Sequence, residues 1–421
     1  MWKNLFLLSI SIIILFSILL YPILYPLLFY SPKGIVVIAL DGGDWEIIDK
    51  LIKDGKMPHM AKILEKGSFS IFTTSKLDSY SAWDSLATCG KEKIWDVLEK
   101  ENVSFGSLYW PNFPKKGKFR VPDEFEGEEE WPEDILDSKA LVIFKNPITE
   151  TLRKAFWLKL LIPRNKMEKD LVYEFYLLDR KARELFYFRE KFEPQITFFV
   201  LSSPARLQQY FWMYYEPEKF EGYVNEKYVK KYGWVIERYY LEFDDFIGKL
   251  DRDDITLIIL SNRGFKPKVP PKIVDKIDIN KLLSEMGVLK FDYRGEIDFS
   301  ATKAYTLEEG LDETLEIFVE EEDVKRRVAE VFMQARTKTG NPIFEVTLSE
   351  KGLRVKRKIP FEVKEEFFLF MNKTYPFEGF LIRKIISAAP ENKGFVLINK
   401  PLELPRNMRA EDFCEVLLQL I

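Results

Sequence analysis

The sequence predicts an α/β domain in which helices flank a mostly parallel central sheet. Continuous apolar runs recur at residues 35–40, 196–201 and 256–260, and such runs are typical of strands that are buried on both faces. Charged segments whose apolar residues have helical spacing lie between them, at 45–66 and, as one long helix, at 225–249. Parallel strands joined by helices need right-handed crossovers, which place a ligand crevice beyond the carboxyl ends of the strands.

Length and composition are consistent with a large folded domain. The chain has 421 residues, of which 47% are hydrophobic and 15% aromatic, so a large core is available. Its 63 Lys and Arg nearly balance 67 Asp and Glu, which leaves a net charge of −4. We expect no nucleic-acid partner, because this balance provides no basic surface. The two cysteines, Cys89 and Cys414, are too far apart in the sequence to indicate a redox compartment.

Residues 1–33 predict a membrane anchor followed by a short linker. Residues 5–30 are apolar and uncharged, and about 20 such residues are enough to span a bilayer. A cleaved signal peptide is the alternative, but its apolar core is usually roughly 7 to 15 residues long and precedes an A-x-A-like site. Lys3 gives a small bias toward an inside N-terminus. We therefore expect a single-pass transmembrane helix in the cell membrane and an extracytoplasmic domain at residues 34–421.

Three polar motifs lie where the predicted strands and helices meet. A D-G-G-D motif at 41–44 follows the first strand, S-Y-S-A-W at 79–83 begins a helix, and S-N-R-G-F at 261–265 follows the strand at 256–260. Taken singly, each has a structural interpretation, since Asp41 with two glycines suits a turn and residues 81–84 match a capping box. The order of the motifs and their spacing along the chain favour a more specific interpretation.

Together with residues 205–212, these motifs resemble, in order and in frame, the type I phosphodiesterases and nucleotide pyrophosphatases of the alkaline phosphatase superfamily. The resemblance covers nearly everything after residue 34. It implies an alkaline-phosphatase-like sheet with a cap insertion over residues 111–192, although residues 156–161 could instead form a helix that lies on the membrane. It also implies that Ser79 occupies the position of the catalytic nucleophile and Asp41 the first metal-binding position.

The same resemblance implies that most metal ligands of the family are replaced. The family's D-R-x-Q-H-x-x-W segment becomes A-R-L-Q-Q-Y-F-W at 205–212, and its S-D-H-G-F motif becomes S-N-R-G-F at 261–265. A last family His aligns with Ala388. Besides the remnant ligand Asp41, the ligand positions therefore hold Ala205, Gln209, Asn262, Arg263 and Ala388.

These replacements remove the chemistry of a two-metal site. Divalent ions in such sites need carboxylates or neutral imidazoles, whereas an amide offers a neutral oxygen, Ala offers nothing and Arg carries a permanent positive charge. The chain has one His, His59, which lies in an M-P-H-M turn that we interpret as structural. We therefore expect no cofactor, and we expect zinc or another divalent metal only if the chain is an active hydrolase.

A carboxylate that has lost its metals needs another partner, because a buried unpaired charge is costly. Arg263 follows a strand that should neighbour the strand before Asp41. We predict that its guanidinium reaches the vacated metal position and holds Asp41 as a bidentate pair, which would neutralise the site.

Three functional hypotheses follow from these observations. The first is a membrane-anchored pseudoenzyme, a binding or scaffolding module for a membrane-protein or cell-surface partner or for an anionic ligand in the crevice. The second is an active phosphoester hydrolase with rearranged chemistry, in which Arg206 and Arg263 clamp the phosphate. The third is a structural subunit whose crevice is filled. Besides the remnant nucleophile Ser79, the candidate binding residues are Asp41, Arg206, Gln209, Asn262 and Arg263.

Overall fold

The computed structural model of the protein describes residues 34–74, 79–122, 166–291, 297–306, 310–311, 313–349, 352–360 and 362–421. The predicted anchor at 1–33, the segment 156–161 and most of the predicted cap lie outside these residues. In the part of the chain that is described, no helix is both long and apolar enough to cross a membrane.

The strands of the described residues are numbered in chain order. They are β1 (Gly34–Leu40), β2 (Ser68–Thr73), β3 (Thr88–Cys89), β4 (Glu92–Lys93), β5 (Phe105–Leu108), β6 (Phe119–Val121), β7 (Ile196–Leu201), β8 (Ile255–Ser261), β9 (Gly264–Ile277), β10 (Ala304–Tyr305), β11 (Thr314–Val319), β12 (Arg336–Thr337), β13 (Phe344–Ser349), β14 (Gly352–Arg357), β15 (Phe367–Phe370), β16 (Lys373–Pro376), β17 (Leu381–Glu391) and β18 (Lys393–Ile398).

The α-helices of the same residues are numbered likewise. They are α1 (Trp45–Lys53), α2 (Pro58–Lys66), α3 (Ser79–Leu86), α4 (Ile94–Lys100), α5 (Lys166–Phe192), α6 (Ser203–Tyr215), α7 (Glu226–Tyr232), α8 (Val235–Leu250), α9 (Ile279–Glu285), α10 (Glu322–Gln334) and α11 (Phe413–Leu418). Short 3₁₀ turns lie at Pro217–Phe220, Phe377–Phe380 and Ala410–Asp412.

Two of the predicted helical segments are each divided in two. The segment 45–66 forms α1 and α2, which Gly55, with a φ of +71°, and Pro58 at the start of α2 separate. The predicted long helix at 225–249 forms α7 and α8, which end and begin around Gly233. In both cases the apolar spacing predicted helix correctly, and the breaks fall at residues that commonly end helices.

The chain divides into two compact units, Met1–Val269 with Ala388–Ile421, and Pro270–Ser387. The first unit contains a seven-stranded sheet in the order β2-β18-β8-β1-β7-β5-β6. Strand β1 pairs in parallel with β7 and β8, and β5 pairs in parallel with β6 and β7, whereas β18 runs antiparallel to β2 and β8. The predicted α/β fold with a mostly parallel central sheet is therefore confirmed.

The register of the three central strands determines where the site lies. Leu40 at the end of β1 is opposite Leu201 of β7 on one side and Ser261 of β8 on the other. All residues of β7 and β8 are buried, as expected for strands covered on both faces. The residues that follow these strands therefore meet at one edge of the sheet.

His59 lies on α2, away from this edge, where the packing of two helices fixes it. Asp244 of α8 accepts hydrogen bonds from the main-chain nitrogens of His59 (3.1 Å) and Met60 (2.7 Å), and so caps the start of α2. The His59 ring packs so closely on Gly248 that a Cβ there would lie 2.6 Å from it. These contacts agree with the structural interpretation of His59.

The second unit is built on antiparallel strands. It contains a four-stranded sheet in the order β10-β11-β14-β13 and a three-stranded sheet in the order β12-β15-β16. Phe332 of α10 packs its ring against the rings of Phe344 (5.0 Å between centroids) and Phe370 (5.6 Å) in the core of this unit. Asp275, which is fully buried, is paired with Arg383 in the same unit.

Candidate functional site

The candidate site lies at the carboxyl ends of β1 and β8, where Asp41 meets Asn262 and Arg263. Oδ1 of Asp41 accepts a hydrogen bond from Nδ2 of Asn262 (3.0 Å) and one from Nη2 of Arg263 (3.4 Å). The Asp41 side chain is 16% exposed and that of Arg263 is 8% exposed. The predicted Asp41–Arg263 pair is therefore present. It joins Nη2 to Oδ1, which Asn262 also contacts, and does not form the bidentate arrangement we predicted.

The hydrogen bonds around Asn262 fix the orientation of its amide group. Its Oδ1 accepts a hydrogen bond from the main-chain nitrogen of Gly42 (3.0 Å), so its Nδ2 must face the carboxylate of Asp41. Asn262 is fully buried. The amide oxygen, which is the only atom of this side chain that could bind a cation, is thus committed to the turn that follows β1.

The turn after β1 is packed tightly against α6. Gly42 has a φ of +70°, and a Cβ there would lie 2.3 Å from the ring of Phe265 and 3.1 Å from the Cβ of Ala205. The main-chain nitrogen of Ala205 donates to the carbonyl oxygen of Asp41 (2.9 Å), and Nε2 of Gln208 donates to the carbonyl oxygen of Gly42. Ala205, which stands at a ligand position of the family, therefore fills space beside the turn and provides no polar side chain.

The carboxylate of Asp44 links the start of α1 to the loop that follows β8. Its Oδ1 caps α1 by accepting from the nitrogen of Ile47 (3.0 Å), and its Oδ2 accepts from the nitrogen of Phe265 (3.1 Å), just beyond Arg263. Its own nitrogen donates to the phenol oxygen of Tyr240 (2.8 Å). Burial raises the pKa of Asp44 to about 6, and hydrogen bonds from the backbone of Ile47, Phe265 and Glu46 offset only part of that effect.

Arg206 is held by the long helix α5. Its Nε donates to Oε1 of Glu174 (2.5 Å) and its Nη2 to Oε2 of the same carboxylate (2.9 Å), a bidentate pair. The guanidinium is thus neutralised within the protein. Gln209, which also lies on α6, is half-buried.

The two remaining predicted positions lie on α3 and β17. Ser79 is the first residue of α3, and its side chain lies outside the described part of the structure. Ala82 and Trp83 of the same motif are buried, and the Trp83 ring packs edge-on against that of Trp110 (5.0 Å between centroids). Ala388, on β17, is buried.

Few of the residues described at this edge of the sheet could bind a divalent cation. Among the described residues, no three His, Cys, Asp or Glu side chains are grouped so that they could hold a metal ion. Beside Asp41 stand the amide nitrogen of Asn262 and a permanently charged guanidinium, both of which are donors that repel a cation. Alanines at 205 and 388 contribute no ligand atom.

Three residues of this site were not predicted: Asp44, Gln208 and Glu174. Asp44 belongs to the D-G-G-D motif and precedes a helix, a capping signal that could have identified it. Gln208 bonds the backbone of the turn after β1, and Glu174 holds Arg206 from a helix 32 residues earlier in the chain. Such tertiary partners leave no local pattern in the sequence.

Comparisons with known proteins agree with the predicted family. The family model for type I phosphodiesterase / nucleotide pyrophosphatase matches residues 69–365, more than two thirds of the chain. No curated protein matches significantly. Similar solved structures include a phosphonoacetate hydrolase from Sinorhizobium meliloti 1021 in complex with phosphonoformate, at 13% identity and a TM-score of 0.44, with 93% of this chain and 95% of that chain covered.

Murine ectonucleotide pyrophosphatase / phosphodiesterase 5 is similar at 11% identity and a TM-score of 0.38, with 92% of this chain and 95% of that chain covered. These structural likenesses are too distant to carry an argument about the site. The match of the family model covers most of the chain, and the chain therefore belongs to the type I phosphodiesterase / nucleotide pyrophosphatase family.

Proposed function

We propose that this protein is a pseudoenzyme of its family, which has lost two-metal hydrolysis and uses the phosphodiesterase fold as a binding or scaffolding module. One observation carries the proposal: the carboxylate of Asp41 is engaged by Nδ2 of Asn262 and Nη2 of Arg263. The guanidinium thus lies where a cation bound to Asp41 would have to approach. No cofactor is required on this proposal.

Electrostatics supports this proposal. At an effective dielectric constant of about 20, two unit charges about 4 Å apart interact by roughly 4 kcal/mol, and the repulsion between a guanidinium and a divalent ion is larger. A metal could bind Asp41 only after Arg263 had moved, and the loop that carries Arg263 is fixed by Asp44 and by the buried Asn262. Binding at Oδ1 of Asp41 would also have to displace the hydrogen bond from Nδ2 of Asn262.

The alternative, a hydrolase in which Arg206 and Arg263 clamp a phosphate, has less support. Arg206 already forms a bidentate pair with Glu174, and Arg263 contacts Asp41. A phosphate would have to displace a carboxylate from each guanidinium, which removes most of the electrostatic gain. We therefore favour a partner protein of the membrane or cell surface over an anionic ligand in the crevice.

An activity assay tests this proposal. The full chain, purified in detergent, is incubated with bis(p-nitrophenyl) phosphate and with p-nitrophenyl phosphate, with and without zinc or manganese. We expect no enzyme-like release of nitrophenol, and equal rates for the wild type and Ser79→Ala. Metal-dependent hydrolysis that is lost in Ser79→Ala would contradict the proposal.

We further propose that residues 1–33 anchor the protein to the cell membrane and that the domain faces away from the cytoplasm. The support is the uncharged apolar run at 5–30 and the small charge bias of Lys3. Protease added to intact cells should remove the domain and leave a small membrane-bound fragment. Complete protection of the domain until the cells are lysed would reverse this orientation.

A further inference from the structure

The two cysteines of the chain are joined in the first unit, although 325 positions separate them in the sequence. Cys89 of β3 and Cys414 of α11 form a disulfide with their Cα atoms 5.4 Å apart, a usual spacing for such a bond. Cys414 is buried and Cys89 half-buried. Both thiols are therefore used in a cross-link, and neither is left as a nucleophile or a metal ligand.

The disulfide joins the C-terminal segment, residues 408–418, to the stretch that surrounds α3. The turn Ala410–Asp412 packs against α3, and α11 packs against β3. On the other side, the nitrogen of Thr73 donates to the carbonyl oxygen of Met408 (3.2 Å). The C-terminal segment thus contacts the chain both before and after Ser79, the first residue of α3.

Apolar packing contributes to this attachment. Ala410 and Phe413 are fully buried. Helix α11 has only six residues, however, and a helix this short has little stability of its own. A covalent bond at its second residue keeps the segment in place and removes the entropy that an unlinked chain would gain on unfolding, an effect that grows with the length of the closed loop.

We propose that the Cys89–Cys414 disulfide is a covalent clamp that holds the C-terminal segment against the Ser79 helix, and that the protein acquires it in an oxidising compartment. Forming the bond removes two electrons and two protons from the two thiols, and a protein disulfide of the compartment's thiol oxidase accepts them by thiol–disulfide exchange. Structural disulfides persist mainly outside the reducing cytosol. The clamp does not depend on whether the crevice binds or hydrolyses anything.

The first test determines where the bond forms. The full chain is produced in a bacterium with a periplasmic thiol oxidase and in a matched strain without it, and free thiols are blocked with a maleimide polymer at lysis. We expect the chain from the first strain to carry no polymer, and to carry two polymers when it is reduced before labelling. The chain from the strain without the oxidase should have free thiols. Free thiols in both strains would show that the disulfide does not form. A disulfide in both strains would show that its formation does not require the oxidising compartment.

The second test addresses the clamp. Hydrogen exchange is measured on the oxidised full chain, on the reduced chain and on the double variant Cys89→Ser/Cys414→Ser. Reduction should speed exchange at least tenfold at residues 79–93 and 408–418, leave β7 and β8 unchanged, and have no effect on the double variant. If this variant fails to fold, the reduced wild type still provides the comparison. Unchanged exchange in both segments after reduction would overturn the clamp.

Discussion

Each unit of the protein contains an aspartate that is paired with arginine, and the two pairs differ in construction. In the second unit, Arg383 donates Nε to Oδ1 of Asp275 (2.6 Å) and Nη2 to its Oδ2 (2.9 Å), and the Asp275 side chain is 0% exposed. In the first unit, Arg263 contacts a single oxygen of Asp41, whose side chain is 16% exposed. The carboxylate of Asp275 is buried inside its unit, whereas that of Asp41 lies at a site that is partly open to solvent.

The electrostatic surroundings of the two aspartates agree with this difference. Burial tends to raise the pKa of Asp275, but hydrogen bonds from Arg383 and from the nitrogen of Val363 outweigh it, so the pKa is lowered. Arg357, also buried, donates to the main-chain oxygen of Asp275. Removing the carboxylate would leave Arg383 and the nitrogen of Val363 without this acceptor, while Arg357 would keep its hydrogen bond to the main-chain oxygen.

The carboxyl group of Asp44 differs from those of Asp41 and Asp275. It is buried, and backbone nitrogens rather than a guanidinium donate to it. Its pKa is raised to about 6, whereas that of Asp275 is lowered. Burial alone therefore does not determine whether these carboxylates are charged. The donors that each one contacts decide whether the charged form is favoured.

The largest effect is expected for Asp275→Ala. The substitution removes the two charge-assisted hydrogen bonds from Arg383 and the acceptor of the Val363 nitrogen, so the second unit should lose about 3 to 5 kcal/mol of unfolding free energy. Chemical denaturation measures this loss. Arg354→Ala, which breaks the exposed pair with Glu316, is the matched control and should cost no more than about 1 kcal/mol. Equal effects of the two substitutions would mean that burial of the Asp275 carboxylate does not strengthen its pair.

The next largest effect is expected for Asp44, through the pH dependence of the unfolding free energy. Because its pKa is about 6 in the folded protein, above the ordinary value of 3.8, the folded state binds this proton more tightly than the unfolded chain. The resulting stabilisation is complete below the ordinary value and is lost as pH rises through 6; it amounts to about 3 kcal/mol. Asp44→Asn should flatten this part of the stability profile between pH 4 and 7. A variant whose profile runs parallel to that of the wild type would contradict the assignment.

The smallest effect is expected for Asp41 and Arg263. The buried bidentate pair that the sequence predicted would be worth about 3 to 5 kcal/mol. One long contact, shared with Asn262 and partly exposed, lowers the expected coupling to about 1 to 2 kcal/mol. A double-mutant cycle with Asp41→Ala and Arg263→Ala measures this coupling. Strict additivity would mean that the two side chains do not stabilise each other.

The sequence predicted the central strands well, because continuous apolar runs in a chain of this size have few other uses. The run at 196–201 coincides with β7, and β8 extends the run at 256–260 by one residue at each end. The convergence of Asp41 with Asn262 and Arg263 followed from parallel topology and is present in the structure.

Other features could not be predicted, because they depend on partners that are distant in the sequence. Nothing local indicates that Glu174 holds Arg206, which leaves that guanidinium less suited to clamp a phosphate than we expected. The spacing of Cys89 and Cys414 likewise gave no sign of their disulfide. The antiparallel sheets of the second unit lack the long apolar runs that mark β7 and β8, since their residues alternate between buried and exposed positions.

We propose that the donor side chains of Asn262 and Arg263 have replaced the cations at Asp41. Calorimetric titration of zinc into the full chain, with Asp41→Ala as the matched control, tests it most directly. We expect the two proteins to behave alike and neither to bind zinc stoichiometrically, because Asn262 and Arg263 already engage the carboxylate. Two zinc ions bound per wild-type chain, with that binding lost in Asp41→Ala, would contradict the account.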